Sequence, residues 1–543
     1  MKSTRKKFWF GYALVLFSII LLPVYTILIE VFEASNDNWE HLKETVLQDY
    51  VINSLILTLG VSFGSLLLGI PTAWLTSVCS FPLKKTIVLL LILPMAMPSY
   101  IIAYTYTGIF DFAGPVQSSI RNYMGWDYGD YFFPEIRSIG GAVVMFSLVL
   151  YPYVYLLARA TFLNQSANFI EISRLLNSGP WKSFLNVAVP LARPAILVGL
   201  SLVLMETLAD YGTVSYFGVS VFTTGIFKTW FGLGDYSTAA KMAALLLIFI
   251  FVLIATERYS RKKIKYYNSI GARTKFSEYK LKNFEVFIVY ITCSIPIIFG
   301  FFVPIIQLLI WSSSAWSNIL SIGFTELVYN SVLLASVASL ISLIIAFSLN
   351  YCQRIIPTFI MNLIVRFVSM GYALPGTIIA IGIITPLAFV DHKFDELFGS
   401  LFSTSYGLIF SGSLFAVQFA YLVRFLSISI NTVESGLEKI RPNMDKASQT
   451  LGITSEKTFL RIHLPILKVS ILTSILLVFV DVIKELPATL ILRPFDFNTL
   501  AVKAYELASD ERLVDASIPS VAIVVAGLLP LILINNSINN HQN

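Results

Sequence analysis

The sequence predicts an all-α polytopic membrane protein with about twelve transmembrane helices, arranged as two tandem, parallel six-helix repeats. Three observations carry that prediction. The 543 residues are 56% hydrophobic and only 13% charged, with a mean hydropathy of +0.76, whereas a soluble domain is nearer a quarter charged. Apolar runs long enough to cross a bilayer recur along the whole chain. The second half also repeats residues of the first at a nearly constant offset.

The elements follow in order. The opening "MKSTRKKFWFGYALVLFSIILLPVYTILIEVF" has a basic start and an apolar run of roughly 22–24 residues with no small-x-small cleavage site after it, so it reads as a retained first helix. Spans 1 to 6 lie near 8–31, 51–79, 86–109, 138–160, 192–214 and 236–256. Spans 7 to 12 lie near 285–311, 327–351, 363–388, 405–427, 469–492 and 513–536. With the basic start inside, about 28 of the 38 Lys and Arg fall in cytoplasmic segments or at the cytoplasmic ends of spans and about 8 outside, with Lys241 and Lys484 in spans. This is the positive-inside pattern, and it puts both termini in the cytoplasm.

The chain therefore divides into a first helix and outer loop (1–50), a first core repeat (51–256), a basic cytoplasmic linker (257–284), a seventh helix and outer loop (285–326), a second core repeat (327–536) and a tail (537–543). The net charge of +6 is distributed by topology, which implies a lipid bilayer and no nucleic acid as partner.

The repeat is legible residue by residue. Asn53-Ser54 matches Asn330-Ser331 at offset 277, and "MPSYIIA" matches "LPGTIIA" at the same offset, pairing Pro98 with Pro375. Offset 275 pairs Leu176 with Leu451, Phe184 with Phe459, Pro190 with Pro465, Glu206 with Asp481, Asp210 with Glu485 and Lys228 with Lys503. Six spans per half make the repeats parallel, related by an axis along the membrane normal.

Several chemistries are excluded. Cys79, Cys293 and Cys352 form no CxxC pair or metal spacing, and His41, His392, His463 and His541 are scattered. The chain has no Gly-Lys dipeptide, hence no phosphate-cradling loop. No enzyme chemistry is encoded, and no cofactor site of the chain's own is expected.

Residues 171–196, "EISRLLNSGPWKSFLNVAVPLARPAI", carry charge, a turn and three prolines between two apolar spans. "NFIEISRLL" reads as a short helix, "NSGP" as a turn, and Trp181, Phe184, Val187 and Val189 recur at roughly helical spacing. Pro190 and Pro194 end that run and restart the chain as span 5. Such a helix lies in the headgroups as a surface linker or fits a partner's groove. Its recurrence in the second half suggests two equivalent docking sites.

Here the sequence resembles the permeases of ABC importers, whose cytoplasmic coupling motif runs E-A-A-x-x-x-G with Leu-Pro about a dozen residues on. Glu171, Ile172, Ser173 and Asn177 take the motif positions in the first half, and Lys446, Ala447, Ser448 and Gly452 in the second, with "HLP" closing at Pro465. The first copy lacks the Gly and the second the acid, which implies docking of unequal strength. By this resemblance the coupling residues are Glu171, Ser173, Asn177, Gly179, Phe184 and Pro190, with Lys446, Ala447, Gly452, Phe459 and Pro465.

The segments "METLADYGTVSYFGVSVFTTGIFKTW" (205–230) and "DVIKELPATLILRPFDFNTLAVKAYELASDE" (481–511) are similar to fused ferric-iron importer permeases, as are "LPMAMPSYIIAY" and "YALPGTIIAIG". That resemblance implies a type I importer fold in the bacterial cytoplasmic (inner) membrane. It also implies two copies of an ABC ATPase subunit that hold the ATP and Mg, and an extracytoplasmic iron-binding protein. ATPase closure would rock the six-helix halves between inward and outward openings. The other readings are a same-superfamily permease for a polyamine, thiamine, a phosphonate or an oxyanion, and an ion-coupled secondary transporter, which would need no ATPase dock.

Glu206 with Asp210, and Asp481 with Glu485, are four residues apart, the spacing of one helix face. Acids inside spans face a cavity or a partner. For a ferric cargo, a hard cation favouring oxygen ligands, they are candidate translocation-path residues and transient metal ligands, joined by Tyr100, Tyr104 and Tyr372 beside the span-3 and span-9 prolines. The competing structural reading pairs Glu485's neighbourhood with Lys484 and makes Asp210 the cap of a broken helix. "MPSY" and "YALPGT" likewise read either as gates or as plain proline kinks. Residues 111–137, rich in Asp and Tyr, and the segments after the span-5 and span-11 acids are candidate surfaces for a substrate-binding protein.

Overall fold

The computed structural model describes all residues except 1, 35, 128, 165–179, 263–278, 282, 320–322, 400–406, 441, 451, 453–454 and 541–543. Among the described residues, nine helices are long and apolar enough to cross a membrane, and two bent pairs bring the number to eleven. Span 11 consists of Lys468–Ile483, a break, and Pro487–Leu492. Its first piece is only 16 residues long, which is why length alone passes it over. Counted with that interrupted helix, the described elements account for twelve spans, the tenth of which, Leu414–Leu437, lies about ten residues later than the hydropathy predicts.

The chain forms two compact units that cut across the sequence repeats. One contains 1–36, 226–244 and 319–503; the other contains 37–225, 245–318 and 504–543. In the first unit, span 1 is seated among second-repeat helices. Tyr12 Oη and Ser348 Oγ are hydrogen-bonded at 2.8 Å, and Gly382 lies against the backbone of Pro23 so closely that a Cβ there would overlap its carbonyl.

In the second unit, span 7 packs on first-repeat helices. Gly300 faces Leu148 O and Pro94, and Tyr106 donates to Phe299 O at 2.6 Å. Glycine at such crossings removes the side chain that would hold two backbones apart, the usual means of close helix packing in lipid.

Both repeats interrupt their third span at a proline. In span 3 a short 3-10 turn, Leu93–Ala96, leads to an extended Pro98 (ψ 144°), and the chain restarts as Ser99–Phe110. The helical run 84–96 before that proline and the run 99–124 after it differ in direction by 92°. In span 9 the same order recurs as Phe359–Val368, Gly371–Ala373, Pro375 and Gly376–Phe394. A proline kink bends a helix less than this; these are full breaks, tolerated in a membrane where the freed backbone is buried in protein.

The repeated Asn-Ser dipeptide explains itself in the structure. Asn53 Nδ2 donates to Ser220 O at 2.9 Å, and Ser54 Oγ accepts from Phe222 N. Asn330 Nδ2 donates to Asn498 O at 3.1 Å, and Ser331 Oγ accepts from Leu500 N at 2.8 Å. In each repeat the pair ties the start of one span to the irregular chain that follows the broken fifth span of that repeat, satisfying backbone groups that have no helical partner.

Candidate functional site

The acids spaced for one helix face do not share one. Span 5 (Val189–Ala209) ends one residue before Asp210, whose ψ of 137° takes it out of the helix. Asp210 Oδ1 accepts from Thr213 N at 2.8 Å, and Oδ2 accepts from Thr213 Oγ1 at 3.0 Å and from Ser99 Oγ at 2.5 Å. It thus caps the short helix Gly212–Tyr216 and pins the restart of span 3 to the break of span 5. Asp210→Ala is expected to cost about 0.5–2 kcal/mol, read as a lower unfolding temperature of the detergent-solubilised protein, with Asp210→Ser losing less.

Glu485 does the same work in the second repeat with different chemistry. Lys468–Ile483 ends two residues before it. Its Oε1 accepts from Ala488 N at 2.9 Å, capping Pro487–Leu492, and its Oε2 takes a 2.8 Å ion pair from Arg424 Nη1. Both side chains are buried, at 4% and 9% exposure. Gly376 stands where Ser99 stands in the first repeat; a Cβ there would sit 2.6 Å from Glu485 Oε1 and 2.8 Å from Arg424 Nη1. Nearby, Tyr421 and Thr489 hydroxyls are bonded at 2.6 Å.

The charge count along the sequence passed over Arg424. It lies inside Leu414–Leu437, in "FAYLVRFLSI", and a lone Arg in such an apolar run is itself a signal that an acid faces it.

The other path candidates are placed as follows. Glu206 is half-buried one turn before the end of span 5, and Asp481 is half-buried with its carboxylate 2.7 Å from Lys484 Nζ. Tyr100 is buried in the first turn after Pro98. Tyr104 is buried with its hydroxyl bonded to Ser520 Oγ and its ring edge-on to Tyr216. Tyr372 is half-buried in the 3-10 turn Gly371–Ala373. Among the described residues no three His, Cys, Asp or Glu side chains are grouped to hold a metal ion.

Of the candidate coupling residues, Glu171, Ser173, Asn177 and Gly179 lie outside the described residues. Phe184 opens a π-helical turn, Phe184–Ala188, and is buried with its ring 5.3 Å from that of Trp74; Pro190 follows, exposed, in the first turn of span 5. In the second repeat Lys446 and Ala447 lie on the helix Pro442–Thr450. Gly452 turns with φ +71°, and Ser455–Thr458 runs back with the Thr458 hydroxyl bonded to that of Ser448. Phe459 then opens a π-helical turn, Phe459–His463, and Pro465 lies in Leu464–Ile466. A π-turn is rare and recurs at functional positions; here it falls at the same repeat position twice.

Asp111, Gln117, Gly129, Arg137 and Glu511 help line an open cleft of about 780 Å³. Phe110, Tyr131 and Phe133 wall it. Arg137 bridges Asp111 at 3.5 Å and Glu511 at 2.8 Å, with its guanidinium over the Tyr216 ring.

The model of the binding-protein-dependent transport system inner membrane component family matches residues 65–265 and again 338–543. The chain belongs to that family. The match covers most of the sequence and falls once in each repeat, so this is a multi-pass inner-membrane transport permease with two family domains fused in one chain.

The chain is 23% identical to the Fe(3+)-transport system permease protein of Haemophilus influenzae, over 98% of each. It is 22% identical to the ferric transport system permease protein of Actinobacillus pleuropneumoniae, over 91% of this chain and 72% of that one. The molybdenum transport system permease protein of Escherichia coli K12 is 26% identical over 32% of this chain and 74% of its own length, the extent of a single repeat.

Proposed function

We propose that this chain is the membrane-spanning permease subunit of an ATP-driven ABC importer, and that it carries ferric iron from an extracytoplasmic binding protein into the cytoplasm by alternating access. The observation that carries the iron assignment is similarity end to end, through both repeats, to a permease named for Fe(3+) transport. Two copies of an ATPase subunit, which hold the ATP and Mg, press on the coupling segments, and both termini are cytoplasmic. A hairpin folded back through Gly452 and pinned by Ser448 and Thr458 is a compact body able to transmit a push. The π-turn and Pro465 join it to span 11. The open cleft lined by Asp111, Tyr131, Phe133, Arg137 and Glu511 supplies a polar, aromatic-walled surface for the binding protein.

Glu206 and Asp481 are the path acids this reading favours, because both are half-buried at matching repeat positions on the two fifth spans, Asp481 beside Lys484. The double variant Glu206→Gln/Asp481→Asn is expected to lower uptake of radiolabelled ferric iron by about tenfold, equivalent to ~1.4 kcal/mol, at unchanged protein level. Uptake at the wild-type rate removes these acids from the path.

The importer reading is tested by purifying the protein from its native membrane and identifying what accompanies it. An ATPase near two copies per chain, lost when 171–189 and 446–464 are scrambled, supports it. A chain that runs alone and performs gradient-driven uptake in liposomes overturns it. ATP-dependent uptake of molybdate in place of ferric iron would keep the class and replace the cargo.

A further inference from the structure

The two repeats close their helix breaks at the same positions with different chemistry. In the first, the donors to Asp210 among the described residues are all neutral: the Ser99 and Thr213 hydroxyls and the Thr213 and Val214 amides. In the second, Glu485 is held by the Arg424 guanidinium and the Ala488 amide. The residues of the first repeat that correspond to Arg424, at offsets of 277 to 275, are Ser147, Leu148 and Val149, none charged. Gly376 completes the difference, since any side chain at that position would occupy the space in which Arg424 and Glu485 meet. Gly376, Arg424 and Glu485 are therefore one three-residue device, and Ser99 and Asp210 its counterpart without the arginine.

We propose that Arg424 is a positioning residue that latches the second repeat's break shut through the transport cycle, so that the first repeat's break is the one that loosens to pass cargo. The physical reason is the cost of separation. A hydroxyl leaving a carboxylate is replaced by water or by a neighbouring hydroxyl, and Asp210 has several such donors. An arginine leaving a buried carboxylate gives up an ion pair whose desolvation cost is already paid, and the buried carboxylate is left without its counter-charge. The neutral-donor break exchanges partners during movement, and the ionic one moves as a unit with spans 9, 10 and 11. Unequal use of two similar halves then follows from side-chain chemistry at one position of each.

This rests on the permease reading, and the test separates the two. Tyr216→Cys and Ile491→Cys, at equivalent half-buried positions in the two capped helices, are introduced singly into the full transporter in intact cells. The native cysteines are all buried. Labelling by a membrane-impermeant maleimide is timed at rest and during turnover, with uptake measured alongside.

The expected result is several-fold faster labelling of the Tyr216→Cys protein during turnover and no change in the Ile491→Cys protein. Adding Arg424→Met/Glu485→Gln, which removes both charges and strands neither, is expected to make the thiol at position 491 respond to turnover as the one at position 216 does. Three outcomes, each with uptake intact, overturn the latch alone: equal responses of the two single variants, no response at position 216, or a position 491 that stays closed once the charges are removed. Loss of the permease reading shows separately, as absent ATP-dependent uptake in the parent.

Discussion

Arg424→Met by itself is expected to destabilise the protein by about 3–5 kcal/mol, the range for breaking a buried ion pair from one side. The carboxylate of Glu485 is 4% exposed and would keep the Ala488 amide but lose its counter-charge. With a typical domain stability of about 5–15 kcal/mol, that is enough to lower the amount of protein in the membrane and its unfolding temperature in detergent. Arg424→Met/Glu485→Gln is expected to recover most of the loss, because the neutral amide leaves no buried charge and its carbonyl still caps Pro487–Leu492.

Arg424→Lys is expected to fall between them, keeping the charge and losing the planar fork. The order of the three variants matters more than any single value. Were the pair ornamental, all three would unfold together with the parent; were Glu485 stabilised by its cap alone, the double variant would be no better than Arg424→Met.

How legible this was in the sequence differs from element to element. The spans are visible because lipid demands long apolar runs, and the repeat is visible because fusion preserved pairs such as Asn53-Ser54 and Asn330-Ser331, which keep one structural job in both halves. The breaks at Pro98 and Pro375 are signalled by proline, but the sharpness of a 92° turn is set by tertiary contacts that no local pattern records. The i, i+4 spacing of Glu206 and Asp210 suggested a shared face because periodicity assumes the helix continues; it stops at Ala209, since the carboxylate of Asp210 is better used capping the next helix.

Arg424 was hidden by distance along the chain. It stands 61 residues before its partner, on a helix whose own pattern gives no hint of where the acid lies. The composition of the two compact units was likewise unreadable, since nothing local tells span 1 that its neighbours lie beyond residue 319.

Gly452→Val is expected to reduce uptake by about 5–30-fold at unchanged membrane level, a larger effect than a surface substitution outside the proposed coupling segments would have. Gly452 has φ +71° between Pro442–Thr450 and Ser455–Thr458. A left-handed residue at this place is how a helix commonly ends and reverses, and glycine takes it without strain. A side chain there costs roughly 1–2 kcal/mol, and one or two kcal/mol corresponds to about a 5–30-fold shift between two conformations. The population displaced is the folded-back hairpin, since reopening the turn also separates the Ser448 and Thr458 hydroxyls.

The spans do not depend on that turn, so insertion and unfolding temperature should hold while ATPase association and ATP-driven uptake fall together. Gly452→Asn separates backbone strain from side-chain bulk. Asn tolerates the left-handed conformation, and the first repeat carries Asn177 at the matching position. It is expected to retain most of the uptake that Val loses. An Asn variant as defective as Val would mean that the ATPase reads the glycine surface itself, and the turn would then be a contact as well as a hinge for the hairpin.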